Sequence, residues 1–243
     1  MNANTKKLLT AALGAGLLTA GLRVLLYRTG FDEKNILSSS HPLHLVCLAL
    51  AAFMALYLFV SLRKPEDTQI DFPGKFPRSL CAAAAGFLIF LSNISLIRQA
   101  EAPISVIRSG LSLAAGCSMV LCALTNPKLR TLQSICRGII TAFFALDILC
   151  RYQSWSGNPQ LPDYVFHIFA CVLLSLCSYH RLALDVGLGR KRSLLWCSLM
   201  ALYLSLGCIS GPEPRVFFLA GGFWAASCCI TEPPVQTLEE VTQ

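Results

Sequence analysis

Eight apolar stretches of about twenty residues, separated by short polar connections, constrain this chain more than any other feature. They run approximately over 8–27, 43–62, 79–97, 104–124, 132–150, 164–180, 193–209 and 215–230. A hydrocarbon core about 30 Å thick is crossed by roughly 20 apolar residues in a helix, so each stretch reads as a transmembrane candidate. The expected fold is all-α: a polytopic helical membrane protein with about eight spans. Composition agrees, since 55% of the residues are apolar, 14% are charged and the mean hydropathy is +0.60, outside the habit of soluble domains. The last three stretches are short. The eighth is the weakest, because Gly221 and Gly222 disfavour a helix that is barely long enough.

A formal charge of +7 in such a chain speaks first of orientation and not of nucleic acid. With the N-terminus inside, twelve of the twenty Lys and Arg fall on the cytoplasmic side, five fall outside and three lie within spans. The expected location is therefore the cell membrane, multi-pass, with both termini cytoplasmic. Lys6 and Lys7 followed by LLTAALGAGLLTAGLRVLLY resemble a secretory leader with small residues near Ala20. The apolar run continuing to Tyr27 favours a retained first span. All twelve cysteines lie in predicted spans and none in a loop, which suits packing between helices and not a disulfide framework.

Between the spans, RKPEDTQIDFPGKFPR at 63–78 is a proline-bearing linker, and TEPPVQTLEEVTQ from Thr231 is an acidic tail expected to be disordered. Sliding the chain on itself pairs Arg28 with Arg151 and His44 with His167 at one offset, and Pro103 with Pro214 and Cys117 with Cys228 at a slightly shorter one. These matches suggest a four-plus-four parallel internal repeat. On that reading residues 1–130 are the first four-helix half, 131–230 the second, and 231–243 the cytoplasmic tail.

Enzyme signatures are absent: there is no H-E-x-x-H and no G-x-S-x-G, and GLGRKRS at 187–193 lacks the spacing of a phosphate-cradling loop. No catalytic activity and no cofactor are expected. His44 with Cys47, and His167 with Cys171, each share a helix face and form a soft-metal donor set on paper, but twelve cysteines make such coincidences common, so no metal site is assigned. The stronger constellation is a polar layer in the outer half: Arg23, Asn93, Arg108, Asp147, Arg151, His44 and His167, flanked by Arg28 and Arg98. Ionisable groups inside a membrane are costly and usually face a bundle interior or an aqueous cavity. Asp147 is the one carboxylate within a predicted span, with Arg151 one turn later on the same face. It is expected to pair with Arg151, or across the bundle with Arg23, while Arg108 and Arg137 snorkel to the interface.

Two functional expectations follow. The first is a small transporter-like or solute-binding membrane protein whose outward arginine layer favours an anionic solute. The second is a non-catalytic subunit, sensor or scaffold that packs against a membrane partner or a second copy and uses its polar residues only as glue. The partners expected are therefore the lipid bilayer, a small anionic solute, and a membrane protein partner or a second copy of the chain; nucleic acid is not expected.

Overall fold

The computed structural model describes residues 3–30, 41–63, 76–98, 103–125, 129–155, 164–211 and 215–230. The linker at 63–78 is described only at its two ends, and the tail from Thr231 lies outside the described residues, as does the side chain of Arg98. Eight α-helices occupy the described chain: α1 (Ala3–Thr29), α2 (Pro42–Ser61), α3 (Phe76–Arg98), α4 (Pro103–Leu124), α5 (Arg130–Trp155), α6 (Val165–Asp185), α7 (Lys191–Cys208) and α8 (Arg215–Cys229). The first six are long and apolar enough to cross a membrane. The chain is thus an all-helical, multi-pass membrane protein.

Local chemistry sets several helix ends. Pro42 opens α2, where its missing N–H costs nothing, and Nδ1 of His41 accepts the Leu43 N–H at 3.3 Å as a side-chain cap. Gly187 closes α6 in the left-handed region at φ 83°, with Leu188 N–H donating to Ala183 O and Gly187 N–H to Leu184 O. That pair of bonds satisfies carbonyls left over at the helix end, and the conformation favours glycine.

Side-chain pairs give the helix directions. Asn93 meets Ser109 across α3 and α4, Arg108 meets Asp147 across α4 and α5, Arg137 meets Asp185 across α5 and α6, and Cys177 meets Ser198 across α6 and α7. Each of these neighbours is antiparallel. Thr19 with Tyr203 and Arg23 with Gly207 make α1 and α7 parallel, and Trp224 with Ser178 and Phe218 with His167 do the same for α6 and α8. Odd helices therefore run from the end near Arg137 to the end near Asp147, and even helices return, so Ala3 and Cys229 lie at the same end.

The helices α3, α4, α5, α6 and α8 pack in that order into a ring, closed by α8 against α3. Small residues allow the tightest approach. A Cβ on Gly86 of α3 would stand 2.6 Å from the Gly116 carbonyl oxygen of α4, so these two backbones touch as larger side chains would forbid. Behind α6 and α8 lies α7, which carries α1 and α2 on its far side. Thirteen of its eighteen residues are buried. A helix enclosed by protein needs no lipid-facing stripe, which explains why α7 reads as the less apolar, shorter span in sequence although it sits at the centre. By contrast α1 and α2 are mostly bare of protein contact, and Leu17, Leu18, Phe53, Leu56, Phe59 and Val60 are exposed as lipid-facing side chains are.

Superposable halves would match α2 beside α3 with α6 beside α7, and α1 beside α7 with α5 beside α3. The pattern differs: α6 packs along α7, whereas α2 shares no substantial interface with α3, nor α5 with α3, among the described residues. The helix packing therefore does not follow the expected four-plus-four arrangement.

Candidate functional site

The site is built on one face of α5. Its buried residues are Gln133, Cys136, Arg137, Ile140, Phe143, Phe144, Asp147 and Arg151, recurring every three or four positions as a single helical stripe. At 1.5 Å per residue, Arg137 and Asp147 stand about 15 Å apart in depth. This stripe faces the inside of the ring and carries two charged layers with phenylalanines between them.

At the Asp147 end, the carboxylate is 1% exposed and both its oxygens are engaged. Oδ1 accepts from Arg108 Nε at 2.8 Å and Nη2 at 2.5 Å, and Oδ2 accepts from Arg151 Nε at 2.7 Å. The Arg151 guanidinium also lies over the Phe217 ring at 4.3 Å, so the pair is held from α4, α5 and α8 together. Asn93 and Ser109 lie alongside: Ser109 Oγ donates to Asn93 Oδ1 at 2.9 Å and Asn93 Nδ2 donates to the Ser109 carbonyl at 3.2 Å. Four residues on from Arg108, the Ser112 hydroxyl is fully buried and has no hydrogen-bond partner among the described residues.

The middle section is aromatic. Phe217 meets Phe143 and Phe144 edge to face at 6.3 and 6.2 Å between centroids, Phe143 and Phe144 tilt against each other at 5.2 Å, and Phe218 joins Phe217 at 5.2 Å. His167 is buried against Phe218 at 5.1 Å and Tyr164 at 6.0 Å, beneath Gly211, where a Cβ would collide with its ring.

At the Arg137 end a second charged layer gathers. Arg137 donates to Asp185 of α6, and its Nη2 donates to Gln133 Oε1 at 3.3 Å, while Gln133 Nε2 donates to the Thr125 carbonyl at 3.4 Å. Arg78 of α3 and Arg181 of α6 are buried at the same end. Cys122 of α4 lies in the field of Arg137 and Arg78, and Cys228 of α8 in the field of Arg181 and Arg137, so all five ring helices contribute to this layer.

Three expectations are corrected. Arg23 does not meet Asp147, because α1 packs outside the ring on α7. Instead its Nη1 donates to the Gly207 carbonyl at 3.2 Å, its Nη2 donates to Tyr27 Oη at 2.8 Å, and its guanidinium lies over Phe166 at 4.8 Å. A cation thus caps the carbonyl end of α7, where the helix dipole is negative. Arg108 does not snorkel, because Asp147 at its own depth is a nearer partner than the interface. Arg137 is 2% exposed and ion-paired for the same reason.

His44 is buried on α2, away from the ring, and α2 shares no substantial interface with α6, so the two His and Cys pairs do not converge. Among the described residues no group of three or more His, Cys, Asp or Glu is placed to hold a metal ion. Arg28 is exposed at the end of α1. Sequence reasoning missed Arg78 and Arg181 as buried residues, and Asp185 as the partly buried partner of Arg137. The signal was present: Leu174, Cys177, Ser178, Arg181 and Asp185 continue one helical face past the point where hydropathy falls. The chain matches no family model, and no curated protein or solved structure is significantly similar to it.

Proposed function

We propose that this is an eight-span protein of the cell membrane, with both termini cytoplasmic, that binds a small anionic solute in the outward half of its five-helix ring and passes it inward. The observation that carries the reading is the buried stripe of α5, which presents arginine-bearing layers on both sides of a phenylalanine septum. Ionisable groups at such depth are retained where they face a path or a site. The Asp147 carboxylate lies between two guanidinium groups, the position an incoming carboxylate or halide would take. Two arginines share this one aspartate, and the buried Ser112 hydroxyl adds an adjacent donor. The cytoplasmic assignment of the Arg137 end rests on the excess of basic residues on that side. A four-plus-four duplication forms no part of the proposal, since the packing order gives it no support.

A non-catalytic membrane subunit is the second reading, favoured by one observation: both oxygens of Asp147 are engaged inside the bundle, as in a purely structural ion pair. Uptake separates the two. Proteoliposomes carrying the full chain are expected to take up radiolabelled acetate, benzoate or chloride faster than protein-free vesicles, with Arg108→Gln slowing the rate at least tenfold. Equal rates with and without protein for all three anions would refute the transport reading and leave the packing subunit.

A further inference from the structure

We infer that Cys177 of α6 and Cys228 of α8 form a redox modification site, a thiol pair that hydrogen peroxide converts to a disulfide joining the two helices. The two thiols are hydrogen-bonded to each other, and both are free. Cys177 is fully buried and Cys228 is 2% exposed, so the contact lies inside the protein. Close approach of the helices permits it: a Cβ on Gly221 would stand 2.6 Å from Leu174 Cδ1, so the backbone of α8 lies directly against α6. The two helices run parallel and stay in register from Phe218 against His167 to Trp224, whose Nε1 donates to Ser178 Oγ at 2.8 Å. Ser198 of α7 completes the group, its Oγ 3.1 Å from Cys177 Sγ and hydrogen-bonded also to Cys229.

A disulfide needs its sulfurs about 2 Å apart and cannot bridge distant Cα atoms without backbone movement, so touching thiols on adjacent helices are the starting point it requires. Cys228 faces the Arg181 and Arg137 guanidinium groups, and the thiolate is the nucleophile in such chemistry, so Cys228 is the attacking sulfur and Cys177 the resolving one. The Cys228 sulfur attacks one peroxide oxygen, the O–O bond breaks, and the departing oxygen takes up the thiol proton and leaves as water. Cys228 is then a sulfenic acid. The Cys177 sulfur displaces its hydroxyl: the S–S bond forms, the S–O bond breaks, and the Cys177 proton leaves with the hydroxyl as a second water. Two thiols and one hydrogen peroxide thus give one disulfide and two waters, the sulfurs losing the two electrons that the peroxide gains. Entry needs no preformed cavity, because Cys228 stands one residue from the end of α8 and helix ends open at low free energy. Oxidation ties the last turn of α8, the shortest helix of the ring, to α6. On the orientation proposed above this end is cytoplasmic, where thiol reductants return such bonds to thiols, so the pair cycles. The pair itself does not depend on that orientation or on transport.

The test uses the full chain in nanodiscs, reduced with dithiothreitol, freed of reductant, treated with hydrogen peroxide, alkylated and digested for mass spectrometry. The expected main cross-link joins the peptides of Cys177 and Cys228, and dithiothreitol reverses it. In Cys177→Ser the sulfenic acid on Cys228 has no resolving thiol, so its trapping by dimedone is expected to rise at least tenfold over the wild-type protein. In Cys228→Ser, dimedone is expected to leave Cys177 unlabelled. Cys117→Ser, which removes an exposed thiol of α4, is expected to change the yield of the cross-link less than twofold. The inference is overturned if the folded wild-type protein gives no Cys177–Cys228 cross-link, if other cysteine pairs cross-link as abundantly, if the cross-link forms only after denaturation, or if dimedone labels Cys177 in place of Cys228. The wild-type cross-link decides the matter even if a serine variant fails to fold. Because anion uptake is read at Arg108 and oxidation at Cys177 and Cys228, either proposal can fail alone.

Discussion

Replacing Asp147 by Asn keeps the side-chain volume and removes the charge that holds two arginines inside the ring. Breaking a buried ion pair by deleting one partner costs roughly 3–5 kcal/mol, because the remaining charge is left without compensation. Two features of this site reduce that figure. Arg108 keeps 17% of its side chain exposed and can turn toward the interface. Arg151 retains the Phe217 ring face at 4.3 Å, a contact worth up to about 2 kcal/mol when desolvated. The expected loss is therefore about 2–3 kcal/mol, which for a chain of this length corresponds to a fall in melting temperature of roughly 5–10 °C.

The assay is thermal unfolding of the purified protein in detergent, followed by the reaction of its buried cysteines with a thiol dye. A double-mutant cycle sharpens it: Asp147→Asn with Arg108→Gln should cost less than the sum of the single changes, by about 1–3 kcal/mol. Reversal is more demanding. Asp147→Arg with Arg108→Asp should recover part of the loss, whereas Asp147→Arg with Arg23→Asp should recover none, because Arg23 is bonded to the end of α7. A drop below about 2 °C for Asp147→Asn, or additive single and double variants, would refute the account of α5 as the helix that holds the ring's charge.

Other sites give independent outcomes. Gly86→Ala should lower thermal stability by about 1–3 kcal/mol, since the new methyl meets the Gly116 carbonyl, whereas Gly110→Ala, with open space around it, should change stability little, and the same unfolding assay reads both. Arg23→Met should cost about 1–2 kcal/mol by leaving the α7 carbonyl end uncapped, and Arg23→Lys should recover some of it; equal melting temperatures for all three proteins would remove the capping role. A reporter fused after Gln243 should report the cytoplasmic face, and alkaline phosphatase activity outside the cell would reverse the proposed orientation.

How much of this was legible in the sequence depended on whether lipid or protein surrounds a residue. The eight helices were readable because each needs an apolar run, and their limits differ from the reading mainly at polar ends such as His180–Asp185, where the helix continues after hydropathy has fallen. Asp147 with Arg151 was readable because a spacing of four fixes proximity within one helix. Asp147 with Arg108 was not, because it depends on α4 packing beside α5, and nothing in either segment's periodicity names its neighbour.

The same distinction explains the failed pairing with Arg23. Equal depth on two helices brings side chains together only if the helices touch, and the sparse matches at a common offset supplied the missing adjacency by symmetry. The packing follows chemistry instead. Arg23 lies on the face of α1 that also carries Gly16 and Thr19, and it meets Leu206, Gly207 and Tyr203 of α7. Small residues and a hydroxyl bring the two backbones close, and the arginine then finds the open carbonyls where α7 ends. In a bundle with little hydrophobic driving force between helices, such close approaches and polar closures choose the neighbours. An arginine within a span is therefore best read with the helix face it shares: beside small residues it reports a packed helix end, and on a stripe of buried charge and phenylalanine, as along α5, it reports the interior of the ring.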